Sequence, residues 1–406
     1  MFIRDRAQAG PGQDRPQAQG VILIWLAGGP ATIDMWDLKP DAPEEIRGEF
    51  RPIATAAPGI RICEHMPHLA QVMDRCTLVR SLNHTISAHG PGTVYMVTGN
   101  RPSAALDYPA LGSLAAKLLP APAGLPPYLT FAALHEGQIP GAGYLGPAHN
   151  PFQIEGDPAR GELRARGISL PDGFSLRDLD DRDRLRRCFD AGLRELDRTD
   201  LGASLDDFHR QALDILRSDR VRHALDLDRE APALRDDYGR TLLGQGALAA
   251  RRLIEAGARF VTLAFGGWDT HGNNFRTLRS RLLPTLDQAL STLIRDLAAR
   301  GLLDETIIYC AGEFGRTPRV NGTAGRDHWS RSMAVLLAGG GFRGGCVFGS
   351  TDPHGMAPTA NPCSPDDMAA TIFQRLGIGP RHEVRTLSGR PIAVFREGRV
   401  LEALIE

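Results

Sequence analysis

The chain has 406 residues, of which 42% are hydrophobic and 23% are charged. This is ordinary globular composition, and the length allows one large α/β domain with an insertion, or two domains. With 47 basic and 48 acidic residues, the formal net charge is −1. The composition therefore gives no indication of binding to nucleic acid or to an anionic membrane surface.

The first twenty residues lack the apolar run that forms the centre of a secretion signal. We interpret residues 1–20 as a flexible arm, followed by a single α/β domain at 21–400. The run VILIWLAGG (21–29) is too short to cross a bilayer and is typical of a buried strand, so no transmembrane segment is predicted. We expect a cytoplasmic protein; the alternative is export by a signal absent from this sequence.

Apolar β-rich runs alternate with amphipathic helical patterns along the chain. Strands are predicted at 21–29, 76–82, 126–132, 259–265, 306–313 and 333–341. Helices are predicted at 92–99, within 278–306 with an end near Gly301, and at 364–378, and a mainly helical insertion is predicted at about 181–256. Gly257 is a predicted helix C-cap and Ser364 a predicted N-cap. This alternation predicts a doubly wound, mostly parallel sheet with helices on both faces.

The cysteines do not form a metal-binding or redox motif. Six cysteines lie far apart and none belongs to a CxxC pair, which argues against a zinc ribbon. Cys310 lies in the apolar run TIIYCAG and is predicted to be a buried core thiol. The even number of cysteines leaves disulfides open.

Carboxylates, imidazoles and one arginine follow almost every predicted strand, where open α/β sheets bind their ligands. They are Asp34, His84, His89, Asp269, His271, Glu313, Arg316, Asp327, His328 and His354. Mixed oxygen and nitrogen donors suit zinc, manganese or iron, and carboxylates also accept magnesium or calcium. The alternative is that these groups cap loops. Their recurrence at so many strand ends favours a divalent metal, for which zinc is the preferred candidate.

Four motifs carry a family resemblance. The segments are LAGGPATIDMWDLKPDAPEEIRGEFRPIATAAPGIRICEHMPHLAQVMDR, RSLNHTISAHGPGTVYMVTG, GGWDTHGN and CAGEFGRTP. Over roughly residues 20–395 the chain resembles a bacterial family catalogued as domain of unknown function 1501. That family is similar to sulfatases and belongs to the alkaline phosphatase-like superfamily. The resemblance implies an alkaline phosphatase-like fold with metal at the strand ends, and no established substrate.

The resemblance also implies roles for individual residues. Asp34 matches a metal-binding aspartate after the first strand, and Asp269 and His271 match a later metal-binding loop. Glu313 and Phe314 fall on an Asp-His pair, so one imidazole is missing there. The resemblance implies that Asp327 or His328 returns it from the next loop. His354 matches the last histidine, and His84 is a further candidate ligand.

His89 stands where the superfamily has its nucleophile, ten residues before the glycine of Thr98-Gly99. No cysteine lies between Cys76 and Cys188, so sulfatase chemistry through a modified cysteine is not expected. His89 has three interpretations: a metal ligand, a covalent or general-base catalyst, or a mark of lost catalysis. We favour ligation, because neutral imidazole is a common metal donor and a helix N-terminus disfavours its cation. Arg316 is a candidate clamp for an anionic substrate.

The leading hypothesis is a metal-dependent hydrolase of phosphate, sulfate or related esters, in which activated water replaces the missing Ser, Thr or Cys nucleophile. Its substrate would be a small anionic ester or a sulfated or phosphorylated glycan. The alternative is a non-catalytic metal- or glycan-binding protein on the same fold. A nucleotide-binding oxidoreductase would need GxGxxG after the first strand, which LAGGPATID does not supply. The metal hypothesis predicts that Asp34, His89, Asp269, His271, Glu313 and His328 converge in one pocket.

Overall fold

A computed structural model describes residues 17–131, 139–161, 163–165, 177–178, 181 and 213–405. In this part of the chain, one large sheet has the strand order β9-β2-β8-β7-β1-β6-β3-β4-β5. Its strands are β1 (Gly20–Ala27), β2 (Cys76–Leu82), β3 (Tyr128–Thr130), β4 (Phe152–Glu155), β5 (Arg164–Ala165), β6 (Phe260–Gly266), β7 (Thr306–Ala311), β8 (Met333–Ala338) and β9 (Cys346–Phe348).

The sheet is mostly parallel, as the sequence predicts. The central strand β1 pairs in parallel with β6 and with β7, and β3 pairs in parallel with β6 and β4. Strand β8 is an exception, since it runs antiparallel to both β7 and β2. The chain returns from β7 to β8 through a short antiparallel pair, Gly315–Arg316 with His328–Trp329, and therefore needs no helical crossover. The residues that precede β8 consequently lie at the edge where β1, β6 and β7 end.

Helices cover both faces of the sheet. In the described part of the chain, the helices of eight or more residues are α1 (His89–Thr98), α2 (Leu111–Leu118), α3 (Leu242–Ala256), α4 (Leu283–Ala299) and α5 (Pro365–Arg375). Along β1, Ile22 and Ile24 pack with α3 and α4, whereas Leu23 and Trp25 pack with α1, α2 and α5. Because successive side chains of a strand point to opposite faces, both faces of β1 are buried. The predicted α/β fold class is confirmed.

Shorter elements complete the described part. The short helices are Glu44–Arg47, Pro67–Ala70, Arg220–Leu225, Pro232–Tyr238, Asn274–Thr277 and the π-turn Leu278–Leu282. The 3-10 turns are Thr32–Asp34, Met73–Arg75, Gly143–Leu145, Pro147–His149, Pro158–Arg160, Leu227–Arg229, Leu303–Glu305 and Glu402–Leu404. Three further strand pairs are Pro52–Ala54 with Arg61–Cys63, Ser350–Thr351 with Pro358–Ala360, and Glu383–Arg385 with Pro391–Ala393.

Two predicted helix caps have the expected geometry. Helix α3 ends at Gly257, which has a φ of 110° and donates its amide to the last turn, a conformation that glycine adopts without strain. Helix α5 starts at Ser364, whose side chain accepts from the amide of Asp367 while the Asp367 carboxylate accepts from the Ser364 amide. Both predictions are confirmed. The long helix predicted within 278–306 ends next to Gly301, as expected, and its first turn is the π-turn Leu278–Leu282, which precedes α4.

Parts of two predicted regions lie outside the described residues. These are most of the predicted arm, residues 1–16, and residues 182–212 of the predicted helical insertion. Among the described residues, no helix is both long and apolar enough to cross a membrane. Cys63, Cys76, Cys310, Cys346 and Cys363 are free thiols. Cys310 is fully buried, as predicted, and burial raises the pKa of its thiol.

Candidate metal centre

The candidate site lies where β1, β6 and β7 end and β8 begins. Asp269 and His271 follow β6, Glu313 follows β7, and His328 lies in the strand pair before β8. His89 is the first residue of α1. This geometry brings together side chains that are up to 239 positions apart in sequence, from His89 to His328.

Three imidazoles surround the carboxylate of Asp269. The Nε2 atoms of His271 and His328 lie 3.1 Å and 3.3 Å from Asp269 Oδ1. His89 Nε2 lies 3.5 Å from Asp269 Oδ2. His89, Asp269 and His328 each offer a donor atom, and these atoms all lie within 4.8 Å of one another.

The other nitrogen of each ring faces an oxygen that can only accept a hydrogen bond. His89 Nδ1 lies 2.6 Å from Glu313 Oε1, and His271 Nδ1 lies 2.7 Å from Asp327 Oδ1. His328 Nδ1 lies 2.9 Å from the carbonyl oxygen of Ser87. A carboxylate or carbonyl oxygen requires a proton on the facing nitrogen. Each neutral ring is therefore protonated at Nδ1 and presents a lone pair at Nε2.

A cation would satisfy these lone pairs. His271 Nε2 and His328 Nε2 are only 3.0 Å apart, so two unprotonated nitrogens repel each other unless a positive charge lies between them. His89 Nε2 is buried and forms no hydrogen bond with the described residues. Bonds of 2.0–2.1 Å to a tetrahedral zinc would separate neighbouring donors by roughly 3.3 Å. The Nε2 atoms of His271 and His328 are 3.0 Å apart, and each ring lies 3.1 to 3.5 Å from an Asp269 oxygen, which is close to this separation.

The partners of the three Nδ1 atoms also match what metal-binding histidines need. A carboxylate or carbonyl on the far nitrogen fixes the tautomer and ring orientation and raises the basicity of the donor nitrogen. The hydrogen bond from His89 to Glu313 raises the pKa of His89 despite partial burial. The expectation that the helix N-terminus disfavours the His89 cation is therefore wrong, because the Glu313 carboxylate outweighs it. Burial is the main cause that lowers the pKa of His328, which favours its neutral form.

Glu313 connects His89 to the end of β1. Its carboxylate is 1% exposed, and Oε1 also accepts from the backbone amide of Gly28 at 2.9 Å. Gly28 has a φ of 113°, and a Cβ there would lie 2.5 Å from the Asp269 amide nitrogen. Only glycine fits this close approach without displacing the backbone. The second oxygen, Oε2, has no hydrogen-bond partner among the described residues.

Arg316 positions Asp269. The buried guanidinium donates to the Asp269 carboxylate, to the carbonyls of Gly28 and Gly29, and to the carbonyl of Arg326. Burial opposes the charge of Asp269, but the hydrogen bond and charge of Arg316 hold the pKa of this carboxyl below its usual value. Arg316 was predicted to clamp an anionic substrate; here its donors are directed to the protein itself.

Asp34 lies in a different arrangement. It is 1% exposed, and Arg326 contacts both of its oxygens at 2.7 Å in a bidentate pair. Asn274 donates to Oδ2 at 2.8 Å. Arg326 in turn directs its remaining N–H groups to backbone carbonyls. In this geometry a guanidinium supplies the positive charge that Asp34 was predicted to receive from a metal.

Both nitrogens of His84 are occupied by the backbone. Nδ1 accepts from the Ile86 amide at 3.1 Å, so Nε2 carries the proton and donates to the Glu313 carbonyl at 2.8 Å. Burial lowers the pKa of His84 and keeps the ring neutral. His84 thus fixes the loop that precedes α1 to the end of β7, and neither nitrogen offers a free lone pair.

The structure brings together seven of the predicted residues: His89, Asp269, His271, Glu313, Arg316, Asp327 and His328. His354 is exposed, its backbone amide donates to Asp352, and it is not in the cluster of donor atoms. Phe314, at the position of the missing imidazole, is buried and packs against His89 and His328 with ring centroids 5.0 and 4.6 Å away. It forms an apolar wall beside the donors.

Two contributors were missed at the sequence level. The Ser87 carbonyl orients His328, and Arg326 neutralises Asp34. Every residue has a backbone carbonyl, so nothing in the sequence could indicate that the one of Ser87 contacts His328. Arg326 directly precedes Asp327, but its side chain pairs with a residue 292 positions away, which local sequence cannot indicate.

Several solved structures are similar to this chain at low identity. A sulfatase from Pseudoalteromonas sp. is 12% identical with a TM-score of 0.41, covering 96% of this chain and 72% of that one. A phosphonate monoester hydrolase from Silicibacter pomeroyi is 12% identical with a TM-score of 0.38, covering 95% and 76%. An alkaline phosphatase from the Antarctic bacterium TAB5 is 12% identical with a TM-score of 0.38, covering 84% and 96%. Likenesses of this size are too low for residue roles to be transferred.

No curated protein matches the chain. The family model described as "Protein of unknown function (DUF1501)" matches residues 18–405. This match includes all four motifs and every residue of the candidate centre, and it confirms the predicted family. The chain belongs to the DUF1501 family.

Proposed function

We propose that this protein is a metal-dependent hydrolase of phosphate, sulfate or related esters, with one divalent ion held by His89, Asp269, His271 and His328. The observation that carries the proposal is the convergence of three imidazole Nε2 lone pairs on one carboxylate, each ring being fixed by an acceptor at Nδ1. Three nitrogens and one oxygen are a donor set that suits zinc.

The centre is open to solvent, which supports a reactive role over a purely structural one. The side chains of His271 and Asp269 are 45% and 34% exposed, and those of His328 and His89 are 24% and 21% exposed. Structural zinc sites are closed, whereas catalytic sites keep a position for water or substrate. A divalent ion here would act as a Lewis acid on an ester oxygen and lower the pKa of water.

The protein residues have distinct tasks in this proposal. Arg316 holds the Asp269 carboxylate towards the rings, and Glu313, Asp327 and the Ser87 carbonyl keep the Nδ1 protons in place. Phe314 excludes water from one side of the donors. Among the described residues, no serine, threonine or cysteine side chain is hydrogen-bonded to the four donors, which supports water as the attacking group.

Metal analysis and a substrate panel test the proposal. Protein purified without chelator is expected to contain about one equivalent of metal and to hydrolyse an aryl phosphate, a phosphodiester or an aryl sulfate. Chelation should abolish the activity, and added zinc should restore it. His354→Ala is a matched control, because it removes an exposed imidazole outside the cluster and should keep both metal and activity.

Two outcomes would count against it. Metal-free protein that does not take up zinc would overturn the metal centre. Stoichiometric metal without hydrolysis of any ester would favour a non-catalytic metal- or glycan-binding protein, for which the apolar Phe314 in place of an imidazole is the supporting feature.

A further inference from the structure

The charges around the candidate centre nearly cancel once one divalent ion is counted. Three carboxylates contact its imidazoles, those of Asp269, Glu313 and Asp327, and Arg316 supplies one positive charge. The three imidazoles are neutral when Nδ1 is protonated and Nε2 is a metal donor. The residues alone therefore carry a net charge of about −2, and one divalent ion brings the centre to about zero.

The arginines nearest the centre are not available to a substrate. Arg316 is fully buried and donates to four protein acceptors. Arg326 is also fully buried, and its charge is matched by Asp34. In the described part of the chain, no other arginine or lysine is hydrogen-bonded or ion-paired to the residues of the centre. Neither Arg316 nor Arg326 is therefore free to act as a guanidinium clamp on a second negative charge of a bound anion.

A carboxylate also faces the approach to the centre. Asp327 is 53% exposed, and its Oδ1 accepts from His271 and from Asn321. A surface carboxylate of this kind is ionised at neutral pH. An incoming anion meets this charge beside the donors.

We infer that the ester this centre accepts carries a single negative charge, as a sulfate monoester or a phosphodiester does, and not the two charges of a phosphate monoester. The inference rests on the proposed function and concerns its substrate class. A second charge gains little Coulomb attraction from a neutral centre, is repelled by Asp327, and costs more to remove from water.

Binding of two matched anions tests this inference without relying on turnover. Phenylphosphonate carries two charges at pH 8.5, and its monomethyl ester carries one with the same aryl group and phosphorus centre. Calorimetric titration of the zinc-loaded protein should give a dissociation constant for the monomethyl ester that is equal to or lower than that for phenylphosphonate. The panel of aryl esters should give the higher kcat/KM for the singly charged members.

Asp327→Asn isolates the charge, because an asparagine oxygen still accepts from His271. In this variant the affinity for phenylphosphonate, divided by the affinity for its monomethyl ester, should rise by about 3- to 10-fold, as expected for the loss of one charge at several ångströms near the surface. Asp304→Asn, an exposed aspartate at the opposite end of the β7 strand, should leave the ratio unchanged. Native protein that prefers phenylphosphonate, or an unchanged ratio in Asp327→Asn, would overturn the inference and leave the proposed function intact. Failure to bind zinc would overturn the proposed function itself.

Discussion

Replacing Glu313 by glutamine should weaken metal binding through the orientation of His89. Glu313 Oε1 accepts from His89 Nδ1 at 2.6 Å and from the Gly28 amide at 2.9 Å, and the side chain is 1% exposed. Glutamine keeps an acceptor oxygen of the same size but loses the charge, and charge-assisted hydrogen bonds are about twice as strong as neutral ones. Removing such a partner typically costs 10- to 100-fold in metal affinity, or about 1.4–2.8 kcal/mol.

Competition with a chromophoric chelator measures this effect directly. Apoprotein prepared by dialysis against chelator is titrated with zinc at fixed pH, and the dissociation constants of native protein and Glu313→Gln are compared. Asp287→Asn is the matched control, since this 2% exposed carboxylate accepts from the amides of His68 and Leu69 at 3.0 and 2.6 Å but contacts no donor of the centre. The control should lower the unfolding midpoint and leave zinc affinity unchanged.

The prediction is wrong if native protein binds zinc and the zinc dissociation constant of Glu313→Gln lies within twofold of the native value. The bond to Glu313 would then not set the basicity or orientation of His89. An equal loss of zinc affinity in Asp287→Asn would also refute it, because the loss would then reflect general destabilisation.

Three further predictions concern the centre and the core around it. His89→Ala should lower the metal content measured by elemental analysis together with turnover; unchanged stoichiometry would move His89 from ligand to catalyst or structural residue. Gly28→Ala should reduce both thermal stability and zinc affinity, because the new Cβ would lie 2.5 Å from the Asp269 amide at a φ of 113°; a midpoint within 1 °C of native, at about the precision of the melt, would contradict this. Partial burial raises the pKa of Glu230, but the hydrogen bonds and charges of Arg251 and Arg252 lower this pKa overall. Its contribution to the free energy of unfolding should therefore be fully present above the unfolded pKa of about 4.3 and be lost as the pH falls through the lower folded value. In urea unfolding between pH 7 and pH 3, the free energy of unfolding should fall less with acid in Glu230→Gln than in native protein. Equal falls in the two proteins would count against the ion pairs of Glu230 with the arginines.

Patterns within a few residues were enough to determine much of the fold. The continuous apolar run of β1 indicates a strand buried on both faces, and Gly257 and Ser364 mark helix ends whose hydrogen bonds are made within one turn. The four motifs identify the family, and the polar residues after β6 and β7 indicate which edge of the sheet holds the site. These features depend on side-chain periodicity and local backbone geometry, which a sequence records directly.

The chemical role of each polar residue was decided only by tertiary contacts. His84 lies in the loop before α1, and His89 follows five positions later as the first residue of that helix. The backbone occupies both nitrogens of His84, whereas Glu313 leaves Nε2 of His89 free. Asp34 and Asp269 both follow strands, but Arg326 neutralises the first and three imidazoles surround the second. Whether an imidazole offers a free lone pair depends on what its other ring nitrogen contacts. Whether a carboxylate faces imidazoles or is neutralised depends on which side chain pairs with it. Those partners lie 224 positions away for His89 and 292 for Asp34, and only the packed sheet brings them within hydrogen-bond distance.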